Sequence, residues 1–194
     1  INFKIKMKKI GITGSIASGK STAGKFLSAG RGPLFSADNA VKKLYQNKNF
    51  RKLIFQKFNI KNTPGLKNLL KKKVLQDSKN IKKLEKLIHP LVRKKMKKFS
   101  LINKNKKIIF FEIPLLIESK LMSFFDVIIF IKAKKKVRLK RFKSKGGEKK
   151  LFDLLNRKQM PDIKKIKFCD HVVVNEKKFS VLKKDLLDII TRYE

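Results

Sequence analysis

Two unalternating apolar runs, Ile108–Phe111 and Val127–Ile131, stand out in the chain. Runs of this kind suit strands covered on both faces, as in a parallel sheet. Val172–Val174 is a third, shorter one, and residues 8–13 (KKIGIT) read as a strand entering a glycine loop. Residues 20–28 read as a helix, and Leu34-Phe35 as a brief strand ending near Asp38. From 39 to 100 the apolar period changes to that of helices. Val41, Leu44 and Tyr45 share a face, as do Leu66, Leu69, Leu70 and Val74. Ile81, Leu84, Leu87 and Ile88 form another stripe, with Asn80 expected as its N-cap and Pro90 expected to open a new helix. Helical stretches follow near 134–145 and 148–158, parted by Gly146-Gly147, which is expected to act as a flexible joint. A last helix over about 180–193 has Ser180 as its expected cap and Val181, Leu182, Leu186, Ile189, Ile190 and Tyr193 on its apolar side.

Strands that alternate with helices predict an α/β three-layer domain around a parallel sheet. The helical block at about 39–106 interrupts that order and reads as an insertion beside the carboxyl edge of the sheet, where α/β proteins bind ligands. The 194 residues then form one unit. Its core covers about 7–38 and 107–194, and a helical lid covers about 138–160.

Composition changes this picture little. Lys and Arg number 52 against 14 Asp and Glu, a net charge of +38, which points toward polyanionic partners. Only seven of the basic residues are Arg, however, and proteins that read nucleic acid lean on Arg for bidentate contacts. Lys spread along the whole chain beside many Ile, Phe and Asn also fits a drift in codon usage toward A and T. Cys169 stands alone, which excludes an internal disulfide framework or a Cys-rich zinc site. No apolar run is long enough to span a membrane, and the N-terminus does not read as a secretory signal. A cytoplasmic protein is expected. Residues 1–6, ahead of Met7, read as an upstream extension of little structural weight.

Chemistry concentrates in Gly14-Ser15-Ile16-Ala17-Ser18-Gly19-Lys20-Ser21, which matches the P-loop pattern G-x-x-x-x-G-K-[ST] between a strand and a helix. Its glycines let successive backbone N–H groups converge on a phosphate, and the following helix aims its positive end there. Lys20 is placed to reach the β- and γ-phosphates of ATP, and the Ser21 hydroxyl to ligate Mg²⁺. Asp38, 18 residues after Lys20, is placed either to accept a proton from an attacking hydroxyl or merely to cap the next helix. His89 alone reads more readily as a structural or capping residue than as a site residue. Glu112 and Glu118 flank Pro114-Leu115-Leu116 after a buried strand. Either reads as a site carboxylate, Glu112 in the manner of a Walker B residue, or as a solvated loop charge. Arg138, Arg141 and Lys145 read as cations on an arm that closes over phosphates, or as an ordinary basic helix.

The ordered combination of these segments resembles the dephospho-CoA kinase family from about Lys8 to Glu194. IGITGSIASGKST resembles its P-loop, SADNAVKKLY its Asp-Ala-Asp segment and LEKLIHPLV its His-Pro helix. EIPLLIE resembles its Pro-Leu-Leu-x-Glu strand end, and RKQMPDIKKIKFCDHVVVN its Gln…Lys…Ala-Asp…Asn stretch. The resemblance implies ATP-dependent phosphorylation of the ribose 3′-hydroxyl of dephospho-CoA, giving CoA and ADP. Carried over, Gly14 and the backbone of Ala17, Ser18, Gly19, Lys20, Ser21 and Thr22 hold the ATP phosphates, and Asp38 is the base. Lys67, His89, Leu115 and Glu118 fall with Asp38 on the acceptor side, Arg141 in the lid and Asn175 near the adenine. Ser36 departs from the family's first Asp, Lys67 from an Arg, and the Ser144–Gly147 stretch SKGG from the usual lid Arg-Asp pair. The alternatives are another P-loop nucleotide or nucleoside kinase, or a basic nucleic-acid-binding module. No nucleic-acid motif appears, so no specific nucleic-acid or membrane partner is expected, and the oligomeric state is left open.

Overall fold

The computed structural model describes residues 7–60, 65–66, 69–70, 72–73, 77 and 79–194. The expectations placed on residues 1–6, Lys67 and Val74 lie outside the described residues. In chain order the elements are β1 (Lys8–Thr13), α1 (Lys20–Ser28), β2 (Leu34–Ser36), α2 (Ala37–Gln46), α3 (Lys48–Phe58) and α4 (Lys79–Ile102). There follow β3 (Ile108–Glu112), β4 (Val127–Lys132), α5 (Lys135–Lys143), α6 (Lys149–Lys158), α7 (Asp162–Ile166), β5 (His171–Val174) and α8 (Phe179–Ile190). The chain divides into two compact units: one takes residues up to Ser36 together with Ser100–Glu194, the other Ala37–Phe99.

The first unit is built on a five-stranded sheet in the order β2-β3-β1-β4-β5. Every pairing is parallel, with β1 in the centre. This explains the unalternating runs. Ile108, Phe110, Ile129 and Ile131 pack with Ile10, Ile12 and Val173 on the face covered by α1 and α8, through Ala23, Leu27, Leu182, Leu186 and Ile190. Their neighbours Ile109, Phe111, Ile128 and Phe130 point to the opposite face and are buried too. There the Phe111 ring lies 5.7, 5.5 and 5.4 Å from the rings of Phe35, Phe124 and Phe125. Each such buried Phe contributes roughly 1.5–3 kcal/mol. The register pairs Ile12 and Ser36 with Glu112, and Thr13 with Phe130. The carboxyl ends of the central strands therefore share one edge, and the loop after β1 and Glu112 both lie on it.

In the second unit Ala40, Leu44, Phe50, Ile54 and Phe58 are buried, as are Leu66, Leu70, Ile81, Val92 and Met96. Asn47 caps α3 by accepting from the Phe50 N–H at 3.0 Å.

Several local expectations are corrected. Pro90 opens no new helix but lies inside the continuous α4. The apolar stripe on both sides of it outweighs the missing N–H and the ring clash, which cost about 3 kcal/mol. Asp77, not Asn80, serves the start of α4: its Oδ1 accepts from Lys79 N–H at 2.8 Å, whereas the Asn80 amide donates to the Lys73 carbonyl at 3.0 Å. The last helix begins at Phe179, with Lys178 at the cap position and no side-chain cap bond, so Ser180 is already inside it. Gly146-Gly147 is a hydrogen-bonded helix terminus: Gly147 N–H donates to Phe142 at 3.0 Å and Gly146 N–H to Lys143 at 2.9 Å, with Gly146 left-handed at φ 78°. Among the described residues no helix is long and apolar enough to cross a membrane.

Candidate active site

The loop between β1 and α1 takes three left-handed or related conformations, at Gly14 (φ 147°), Ala17 (φ 58°) and Gly19 (φ 101°). Two of them require glycine. A Cβ on Gly14 would stand 2.3 Å from the Ile131 carbonyl oxygen, and one on Gly19 2.1 Å from Asn175 Nδ2. The backbone there is pressed so closely against Ile131 and Asn175 that only glycine fits.

The carbonyls of the loop are held in a definite pattern. Ser18 O accepts from Asn175 Nδ2 at 2.8 Å and from Arg141 Nη1 at 3.4 Å. Ile16 O accepts from Arg138 Nη1 at 3.3 Å, and Ile16 N–H donates to Gln159 Oε1 at 2.9 Å. Ser15 Oγ donates to Asp162 Oδ1. A trans peptide sets its C=O and the next N–H antiparallel. Anchoring Ser18 O on Asn175 therefore turns the Gly19 N–H the other way. Lys20 is 8 % exposed, and its Nζ donates to Ser15 O at 2.9 Å. Ser18 is fully buried, and its Oγ has no hydrogen-bond partner among the described residues. Ser21 and Thr22 open α1 with exposed side chains. Ser21 Oγ donates to Glu112 Oε1, which brings a hydroxyl and a carboxylate oxygen together at the start of the helix. Among the described residues no group of three or more His, Cys, Asp or Glu could hold a metal.

Gly14, Ala17, Ser18, Gly19, Lys20, Ser21, Thr22, Arg141 and Asn175 thus meet in one place. Asn175, expected near the adenine, places its amide on the loop backbone and accepts from Arg141 Nη2 at 3.5 Å. Leu115 is half-buried in the turn after β3, and its carbonyl accepts from Ser119 N–H at 2.9 Å. Glu118, expected on the acceptor side, has one oxygen occupied within the first unit: Oε1 lies 2.7 Å from Lys165 Nζ and accepts from Met160 N–H at 3.1 Å. Asp38 and His89 belong to the second unit. Asp38 is exposed in the first turn of α2, which begins one residue before it, two residues past Ser36, whose strand partner is Glu112. His89 is half-buried on α4; burial lowers its pKa, Glu85 opposes that shift and Arg93 adds to it. Gln159 and Asp162 carry loop contacts that the sequence does not announce, because each stands more than 130 residues along the chain from the loop, and Asn156 acts one step further out, on Arg138. Burial, with Asp170 adding to it, pushes the Cys169 thiol up to about 12, so thiolate chemistry is suppressed there.

The Lys165–Glu118 pair fixes the segment that carries Gln159 and Asp162. Lys165 is fully buried. Removing one partner of a buried pair strands the other, at about 3–5 kcal/mol. Lys165→Met is therefore expected to lower the melting temperature by on the order of 10 °C. Lys165→Met with Glu118→Leu is expected to recover much of that. Thermal melts of the two variants check this; equal melting of the single variant and the parent would contradict it.

Comparison with known proteins agrees with this geometry. The model of the dephospho-CoA kinase family matches residues 8–180. The dephospho-CoA kinase of Bartonella quintana is 40% identical over 172 residues, covering 86% of this chain and 88% of that protein. That of Bartonella henselae is 35% identical over 195 aligned positions, covering 95% and 97%. A Thermus thermophilus protein of known crystal structure superposes with a TM-score of 0.81 at 26% identity, covering 97% of this chain and 99% of that one. With a parallel P-loop kinase sheet, a phosphate cradle at its carboxyl edge and relatives alike over nearly their full length, the chain belongs to the dephospho-CoA kinase family.

Proposed function

We propose that the chain transfers the γ-phosphoryl group of ATP to the ribose 3′-hydroxyl of dephospho-CoA, giving CoA and ADP, the closing step of CoA synthesis. The observation that carries the reading is the cradle itself. The Gly19 N–H is turned away from the anchored Ser18 carbonyl, the buried Ser18 hydroxyl has no partner among the described residues, and Lys20 stands beside them. Backbone amides at a helix start and one ammonium group match a polyphosphate tail. In this reading the amides of Ala17 to Thr22 and Lys20 bind the β- and γ-phosphates, and Arg141 adds charge from the lid side.

The Ser21 hydroxyl and Glu112 would hold Mg²⁺, since both offer hard oxygen donors and this ion takes the rest of its shell from phosphates and water. When bound, it neutralises charge across the phosphates. Asp38 accepts the proton of the ribose hydroxyl as that oxygen bonds to the γ-phosphorus and the bond to the β-phosphate oxygen breaks. His89, Lys67 and Leu115 are assigned to the acceptor. Glu118 is assigned to it as well, its Oε1 being held by Lys165 and the Met160 N–H. The lysine-rich surface is read as solvating charge, the partner as a small molecule, and the place of action as the cytoplasm.

The test is ADP release by the purified protein with ATP and Mg²⁺, offered dephospho-CoA or a panel of nucleoside monophosphates. Release that depends on dephospho-CoA is expected. Release that follows a nucleoside monophosphate instead would move the chain to another acceptor.

A further inference from the structure

Arg138, read from the sequence as a lid cation or a surface charge, is instead 6 % exposed in a chain whose cations are mostly solvated. Its Nε donates to Ala133 O at 3.0 Å, just past β4. Its Nη1 donates to Asn156 Oδ1 on α6 at 2.8 Å and to Ile16 O in the P-loop at 3.3 Å. The guanidinium carbon lies 5.7 Å from the centre of the Phe152 ring, also on α6. Burial lowers its pKa and Asp162, the residue that accepts from Ser15 Oγ, opposes that shift. Arg keeps its charge in proteins even so. One side chain thus joins α5, α6, the end of β4 and the phosphate loop.

The consequence lies in a single peptide unit. Ile16 O and Ala17 N–H belong to the same planar trans group, so they point in opposite directions. Ala17 is left-handed at φ 58°, a conformation that a non-glycine residue adopts at a cost. Arg138 on the carbonyl, with Gln159 on the preceding N–H, holds that unit from outside. We propose that Arg138 is a positioning residue for ATP: it locks the Ile16–Ala17 peptide so that the Ala17 N–H faces the phosphates, and it ties both lid helices to that orientation. A rigid fork of N–H groups is needed to serve three acceptors on separate segments; a lysine ammonium cannot span them in this geometry.

This inference rests on the ATP-binding reading, and the experiment separates the two. ATP binding is measured by titration calorimetry for the parent, Arg138→Met, Arg138→Lys and Asn156→Leu, beside kcat, KM for ATP and a thermal melt. The parent binds ATP in either case if the functional reading holds; no binding by the parent overturns that reading and this inference with it. Arg138→Met is expected to weaken ATP binding and raise KM by about tenfold or more, the loss expected for hydrogen bonds to a charged group. Its kcat at saturating ATP is expected to stay within about threefold, because the loss is one of ground-state and transition-state binding alike. Arg138→Lys is expected to fall between it and the parent. Parental ATP affinity in folded Arg138→Met overturns the proposal. If Arg138→Met does not fold, the decision passes to Arg138→Lys and Asn156→Leu: weakened binding with kcat kept supports it, and parental affinity in both overturns it.

Discussion

Replacement of Lys20 by alanine is expected to lower kcat by about a thousandfold or more while the fold survives. Its ammonium group is buried beside the loop, with Nζ 2.9 Å from Ser15 O. In so shielded a place a cation acts on developing phosphate charge far more strongly than it would in water. Phosphoryl transfer asks almost no covalent chemistry of the protein, so this charge and the positioning of the loop carry most of the acceleration. The fold should persist, because the contacts that seat α1 on the sheet come from Ala23 and Leu27 against Ile10 and Ile12. Steady-state kinetics beside a thermal melt checks both halves. Near-parental turnover in the folded variant would remove the P-loop from the mechanism.

Asp38→Asn is the second large effect. The substitution keeps size and hydrogen-bonding reach but removes the ability to take a proton. A positioned base contributes typically about 10²–10⁴-fold, and kcat is expected to fall within that range. ATP affinity is expected to stay within a few fold. Asp38 is exposed in the first turn of α2, so an isosteric amide replaces it without burying a new group. If ATP affinity collapsed instead, and the rate at saturating ATP held, Asp38 would be acting on the nucleotide or its metal rather than on the hydroxyl.

Much of the first unit is legible from local pattern. The runs Ile108–Phe111 and Val127–Ile131 read as doubly covered strands because burial on both faces leaves no alternation to mislead. The P-loop reads from eight consecutive residues because its backbone conformation is local: Gly14 and Gly19 take positive φ values that favour glycine whatever packs against them. What the sequence hides is long-range. Gln159, Asp162 and Arg138 stand more than 100 residues from the loop they hold, and no periodicity links them to it. Glu118 reads as a ligand contact because it follows a strand end; its pairing with Lys165 depends on a fold that brings them within 2.7 Å. Pro90 reads as a helix start because a missing N–H is tolerated there at no cost, yet the surrounding apolar stripe keeps α4 continuous. Asn80 and Ser180 fit cap chemistry, but each lies inside its helix, and a two-residue shift of the boundary is beyond residue preference.

The fate of the terminal phosphate tests the whole account most directly. With γ-labelled ATP, Mg²⁺ and dephospho-CoA, the account predicts label in the 3′-phosphate of CoA, in equal amount to the ADP formed, and none transferred by the Lys20→Ala variant above background. Label found only as inorganic phosphate, or transfer undiminished in that variant, would contradict it.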